Sequence, residues 1–206
     1  MNIRGMTAFF EDWMYDSAER TKVKSHGFLS VGSGNCDIEV EIAVALRARG
    51  LRDFTIECLE LNPSMLARGL DLARVAGVAQ HLVFTEVDFN RWKPGRQYSA
   101  VMANQSLHHV MELEHLFDGV RQALLPHGKF IVSDMIGRNG HMRWPEALSV
   151  VQEFWLQMPE RHRYNMLLKR HEASFEDWDC STDGFEGIRA QDVLPTLINR
   201  FEFDLF

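Results

Sequence analysis

Apolar residues gather in five short runs, and each run delivers a polar residue at its carboxyl end. Phe28, Leu29 and Val31 lead to Gly32-Ser33-Gly34, and Phe54 to Leu61 ends with Glu60. His81 to Val87 reaches Asp88-Phe89, Tyr98 to Ala103 reaches Asn104, and Lys129 to Ser133 reaches Asp134. Short apolar runs bounded by turn formers predict buried strands. Between them, apolar positions recur at helical spacing. Ile38, Ile42, Ala45 and Leu46 share one face of a helix predicted from Asp37 to Arg49, with Gly50 as C-cap. Pro63 suits a first helical turn with Asn62 as N-cap, and Leu113 to Leu125 is amphipathic and stopped by Pro126 and Gly128. Strands alternating with helices predict a doubly wound α/β fold, with a mostly parallel sheet and helices on both faces.

The flanks read differently. Residues 1–27 carry Phe9, Phe10, Trp13, Met14 and Tyr15 in a helical setting. A helix packed on the sheet edge is expected, with a lid over the ligand as the alternative. Residues 137–200 form an inserted helical region. Trp144-Pro145 should open a helix to about Met158, and a second, from Glu160 to about His171, carries Arg161, Arg163, Lys169 and Arg170 as a solvated face, with binding of an anionic substrate as the alternative. Ser174 to Gly187 is rich in turn formers and aromatics, and a last helix runs around Gln191 to Arg200. Phe201 to Phe206 alternates like a sixth and final strand.

Composition narrows the class. With 206 residues, 46% hydrophobic and 25% charged, the chain suits a single domain, 1–206, with a proper core. A net charge of −7 speaks against nonspecific nucleic-acid binding, which needs a basic footprint. No apolar stretch is long enough for a membrane span, and Glu11, Asp12 and Asp16 interrupt any signal-peptide core. Cys36, Cys58 and Cys180 lack metal spacing, and Cys36 and Cys58 are expected to be buried thiols in a reducing, cytoplasmic setting.

The chemistry lies at the ends of the apolar runs. A strand, a glycine turn (Gly32-Ser33-Gly34) and a helix make a nucleotide cradle, because glycine lets a ligand lie against the backbone. A carboxylate at the end of the second strand, here Glu60, stands where such folds bind a ribose hydroxyl pair. Past the fourth and fifth strands lie candidate bases: His108, His109, Asp134 and, further on, Arg138 and His141. The structural alternative for His108 and His109 is that they open the next helix. No pair among His108, His109, His115, His127 and His141 has the spacing of a known metal site, so no metal is expected.

These segments resemble, in order, the motifs of the class I S-adenosylmethionine-dependent methyltransferases. VGSGNCD resembles the first motif, CLELNPSMLARG the second and VDFNRW the third; YSAVMANQSLHHV resembles the fourth, and LLPHGKFIVSD the approach to and run of the fifth strand. The likeness covers about Phe28 to Asp134 and implies a Rossmann-like fold that binds S-adenosyl-L-methionine and releases S-adenosyl-L-homocysteine. It assigns Gly32, Ser33, Gly34, Glu60, Leu61, Asp88, Phe89 and Asn104 to the cofactor. Glu60 would hold the ribose, Asp88 the adenine amino group, and Phe89 would flank the ring. His108 and His109 are the catalytic candidates. The sequence departs from the family twice, with Ser30 at a usually acidic position and Cys36 at a usual third glycine. Asp37, or a water-mediated contact, is the expected substitute for the acid, as partner of the cofactor's ammonium group.

Two rival readings stay open: a nicotinamide-dependent oxidoreductase, and a noncatalytic protein that keeps the fold for binding. The expected acceptor is a small or medium organic molecule. The family's sheet has a seventh, antiparallel strand that this chain has no residues left to form. The expectation is therefore an incomplete sheet edge, covered by a partner such as a second copy in a homodimer, or a longer native chain.

Overall fold

The computed structural model describes residues 5–166, 168–182 and 184–206. Its centre is a parallel sheet of five strands: β1 (His26–Val31), β2 (Phe54–Glu60), β3 (Leu82–Glu86), β4 (Tyr98–Asn104) and β5 (Leu124–Ser133). The spatial order is β3-β2-β1-β4-β5. The order therefore reverses between β1 and β4, and a crevice opens there at the carboxyl edge. Among the described residues six α-helices accompany the sheet: α1 (Met6–Thr21), α2 (Asp37–Ala48), α3 (Pro63–Val75), α4 (Leu113–Ala123), α5 (Pro145–Gln157) and α6 (Ala190–Ile198).

Strand alternation builds two apolar layers. Phe28, Ile56, Ala100 and Met102 join Ile42 and Leu46 of α2, Leu66 and Ala73 of α3, and Phe10 and Met14 of α1 on one side. Leu29, Val31, Leu59, Val101 and Ala103 join Leu116 and Phe117 of α4 and Val193 of α6 on the other. The doubly wound expectation is met. Asn62 caps α3 by accepting from the Ser64 amide at 3.0 Å, with Pro63 in the first turn.

The N-terminal helix packs on the sheet as expected, with Phe10 and Met14 of α1 wholly buried against it. Two expectations and one alternative are corrected. The helix expected from Glu160 to His171 is a 3₁₀ turn, Glu160–His162, followed by a small antiparallel pair, β6 (Tyr164–Asn165) and β7 (Arg170–His171). Tyr164, Met166 and Leu168 stay exposed, so no packed face holds the segment in a helix. His108 and His109 do not open α4. They sit on a separate 3₁₀ turn, Leu107–His109, because Gln105 at φ 52 turns the chain back over the strand ends. Phe201 to Phe206 forms no strand, so the sheet has five strands and not six. The Phe201 amide still bonds to the Leu197 carbonyl at 2.9 Å, and its ring packs on Phe117 and Phe130. That anchor leaves no loop to swing the segment alongside β5. The segment instead lies over a groove of about 580 Å³ at the outer side of β5, where Asp204 pairs with Lys129.

Candidate functional site

The glycine turn stands on β2. The amides of Gly32 and Ser33 both donate to the Leu59 carbonyl, at 2.9 and 3.0 Å. Gly32 has φ +69, and a Cβ there would come within 2.5 Å of Ser106 Cβ, so only glycine fits under the chain leaving β4. Ser106 closes the gap by donating to the Val31 carbonyl at 2.7 Å. Nothing lies within 4 Å of the Cβ direction of Gly34, which leaves room for a ligand against the backbone. At the position of the usual third glycine, Cys36 keeps the glycine conformation with φ 59. Gly69 of α3 makes space for it: a Cβ on Gly69 would be 2.9 Å from the cysteine sulfur.

Glu60 locks this turn. Its Oε2 accepts the Gly34 amide at 3.0 Å, and its Oε1 accepts the amides of Leu61 and Asn62, each at 2.9 Å. With two bonds on Oε1 and one on Oε2, the remaining lone pair of Oε2 can receive a ligand hydroxyl. Leu61 is exposed beside it. Further along the edge, Asp88 Oδ1 accepts the backbone and side-chain N–H of Asn90, each at 2.9 Å. Asn90 in turn accepts the Met111 and Glu112 amides, which ties the loop after β3 to the start of α4. Phe89 packs against the layer under α4. Asn104 ends β4 opposite Ser133.

An acid lies beside Ser30 of β1, and it comes from α2. Asp37 is exposed, while Glu39 turns inward and accepts the Ser30 hydroxyl at 2.6 Å. Burial pushes the Glu39 carboxyl up to about 7, against the opposing effect of the Ser30 bond.

Beyond β4 and β5 a cluster of histidines and carboxylates forms. The Asp134 carboxylate, almost wholly buried, accepts the amides of Ser106 (3.0 Å), Leu107 (2.6 Å) and Met135 (2.8 Å) and the Nδ1–H of His108 (2.5 Å). That bond fixes the His108 tautomer and turns Nε2 toward the cluster. Burial lowers the His108 pKa, but the Asp134 bond and the charges of Asp134 and Glu186 outweigh it, so the net shift is upward. His108 Nε2 is 3.5 Å from Glu186 Oε1, which also receives His141 Nε2 at 2.7 Å. Burial works against the charged form of Glu186, yet the His141 bond and the neighbouring imidazoles hold its carboxyl below the usual value. His109 Nδ1–H donates to the Phe185 carbonyl at 3.3 Å, so the neutral ring carries its lone pair on Nε2. Arg138 is turned away and donates to the Arg143 carbonyl.

The sheet thus places all the expected cofactor residues along one edge and sets His108, His109, Asp134 and His141 next to them. Glu186, Glu39 and Ser106 were missed by the sequence reading. Glu186 lies in an irregular segment with no periodicity to locate it, and Glu39 looks like an ordinary polar position in the first turn of a helix.

The family model described as a methyltransferase domain matches residues 29–132, half of the chain. A highly reducing polyketide synthase from Fusarium mangiferae is 30% identical over 97 residues, which make up 46% of this chain and 4% of the synthase. Among solved structures, an S-adenosylmethionine-dependent methyltransferase from Clostridium acetobutylicum is similar with a TM-score of 0.50 at 16% identity, over 65% of this chain and 52% of that one. The [4+2]-cyclase SpnF is similar with a TM-score of 0.50 at 24% identity, over 66% of this chain and 50% of that one. The chain therefore spans about half the length of these solved relatives, and they share its fold. Among the described residues no helix is long and apolar enough to cross a membrane. With its matched segment running from β1 to the end of β5 and carrying the glycine turn, Glu60, Asp88 and His108, this chain belongs to the methyltransferase-domain family.

Proposed function

We propose that the chain binds S-adenosyl-L-methionine along the carboxyl edge of the sheet and transfers its methyl group to a small or medium organic acceptor. The observation that carries this reading is the row formed by the open Gly34 face, Glu60 and Asp88, which ends beside an imidazole–carboxylate cluster. In this reading Glu60 receives a ribose hydroxyl, Asp88 the adenine amino group, and the buried Glu39 takes the ammonium role of the absent β1 acid. The acceptor's nucleophilic atom attacks the methyl in line. A new bond to that carbon forms as the carbon–sulfur bond breaks, and the sulfonium keeps the electron pair and becomes a neutral thioether. Any proton the acceptor loses passes to an imidazole, His108 or His109. Proximity alone supplies about 7–11 kcal/mol when donor and acceptor are held in near-attack geometry.

Calorimetry with S-adenosylhomocysteine, S-adenosylmethionine and NAD tests the reading. Binding of the first two without NAD supports it, and NAD binding alone would favour an oxidoreductase. A single observation favours a noncatalytic binder as second reading: Ser30 stands on β1 where the resemblance leads one to expect an acid. Transfer of a labelled methyl group to any acceptor from a panel of hydroxyl, amine and activated-carbon compounds rules that reading out.

A further inference from the structure

We propose that His108 Nε2, His141 Nε2 and the Glu186 carboxylate bind one divalent transition-metal ion of the zinc class. Each of the three offers one ligand atom, and these atoms lie within 4.8 Å of one another. Bonds of about 2.0–2.2 Å to one ion put adjacent ligand atoms roughly 3.3 Å apart in a tetrahedral arrangement. The 3.5 Å separation of His108 Nε2 from Glu186 Oε1 already matches, and the 2.7 Å contact of His141 with Glu186 need only open slightly. The two imidazole rings meet edge to face with centroids 5.1 Å apart, as rings converging on a common point do.

The surroundings fit the same assignment. A metal-bound histidine almost always donates its other N–H to a carboxylate or carbonyl, which fixes the ring and makes the ligating nitrogen more basic. His108 does so to Asp134 at 2.5 Å, and Asp134 is itself held by three backbone amides. Gly187, at φ +66, keeps the space beside His141 clear: a Cβ there would lie 3.1 Å from His141 Nε2. Glu186 and His141 are 45% and 21% exposed, so an ion can reach the site from solvent. Two nitrogens and one oxygen favour zinc, cobalt or a similar ion over magnesium or calcium, which prefer oxygen ligands. Three protein ligands leave a fourth position for water or an acceptor oxygen, whose proton the ion would loosen. His108 is then a ligand, and His109, with its lone pair on Nε2, is left to take that proton. The ligands come from three separate segments, which is why no sequence spacing announced the site.

The part the ion would play with an acceptor rests on the proposed function, but its binding does not, so the test uses the metal alone. The full chain, freed of metal with a chelator and then dialysed, is titrated with Co²⁺ while the visible absorption is recorded, and Zn²⁺ is then added. One equivalent of Co²⁺ should give the ligand-field bands of a four- or five-coordinate nitrogen–oxygen site, and Zn²⁺ should remove them. His141→Ala and Glu186→Gln, both at partly exposed positions, should each weaken binding at least about tenfold with an unchanged far-ultraviolet spectrum. Absence of these bands in the native chain overturns the proposal. So does equal binding by both variants, because the ion would then sit on other histidines. S-adenosylhomocysteine binding by the metal-free protein separates failure of this site from failure of the methyltransferase reading.

Discussion

Glu39 is a carboxyl group with its water removed and one serine hydroxyl returned to it. Its pKa in the fold is about 7 against an ordinary 4.5, so the folded state prefers the protonated acid. The native chain therefore holds a proton between those values that the unfolded chain has released, and stability falls as pH rises through that window. Over about 2.5 pH units the loss amounts to roughly 3 kcal/mol, and it levels off above pH 7. Glutamine imitates the protonated acid. Glu39→Gln should thus gain on the order of 1–3 kcal/mol over the native chain at pH 8 and little at pH 4.5, measured by urea unfolding at both pH values. Equal differences at the two pH values would refute the buried-acid account. A cation drawn in beside Ser30 would reverse the preference, so the same variant should bind S-adenosylhomocysteine more weakly at pH 8 despite its greater stability.

At the scale of elements, the glycine turn is a joint between β1 and α2 that Glu60 of β2 holds shut. Glu60→Ala removes three amide contacts as well as any ligand hydroxyl. Charged hydrogen bonds contribute about 1.5–3 kcal/mol each. S-adenosylhomocysteine affinity should therefore fall at least tenfold by calorimetry, with faster exchange of the Gly34 amide; unchanged affinity in the folded variant removes Glu60 from the site. The strands and their order of appearance were legible because buried parallel strands are nearly continuous apolar runs, and Tyr98 to Asn104, buried at every position but the last, shows this clearly. Asn62-Pro63 was legible because capping is local chemistry. Tyr164 to His171 was not, since a two-residue ladder writes no periodicity into so short a charged segment. Phe201 to Phe206 misled because alternation reports only which residues can face inward. It does not say whether a neighbouring edge lies within reach. His108 and His109 were legible as residues, while their partner Glu186 is brought in by tertiary folding 77 or 78 positions away.

Over the whole molecule, stability is unevenly shared. The sheet and its two layers hold the buried residues, whereas α5 buries none. The inserted region is held by a few ties of its own: Trp155 against Phe175 with ring centroids 5.4 Å apart, the Trp155 indole N–H donating to the Glu172 carbonyl, and Gln152 bonded to the Phe175 backbone. Regions with little buried contact open independently of the core. Trp155→Ala should therefore speed tryptic cleavage after Arg161 and Arg163 severalfold while the urea midpoint of the sheet stays in place; a joint shift of both would mean that the insertion and the sheet unfold as one unit. The two buried cysteines at the base of the glycine turn have a further consequence. Cys36 and Cys58 are fully enclosed, and the hydrogen bond of the Cys58 thiol to Cys36, followed by burial, pushes that thiol well above its ordinary range. Cys180 is partly exposed. An alkylating reagent should therefore modify one thiol per chain promptly and two only as the turn breathes, and the slow pair becomes a clock for the opening of the cradle. S-adenosylhomocysteine should slow that clock in proportion to its occupancy, a readout of the ligand site that needs neither an acceptor nor methyl transfer.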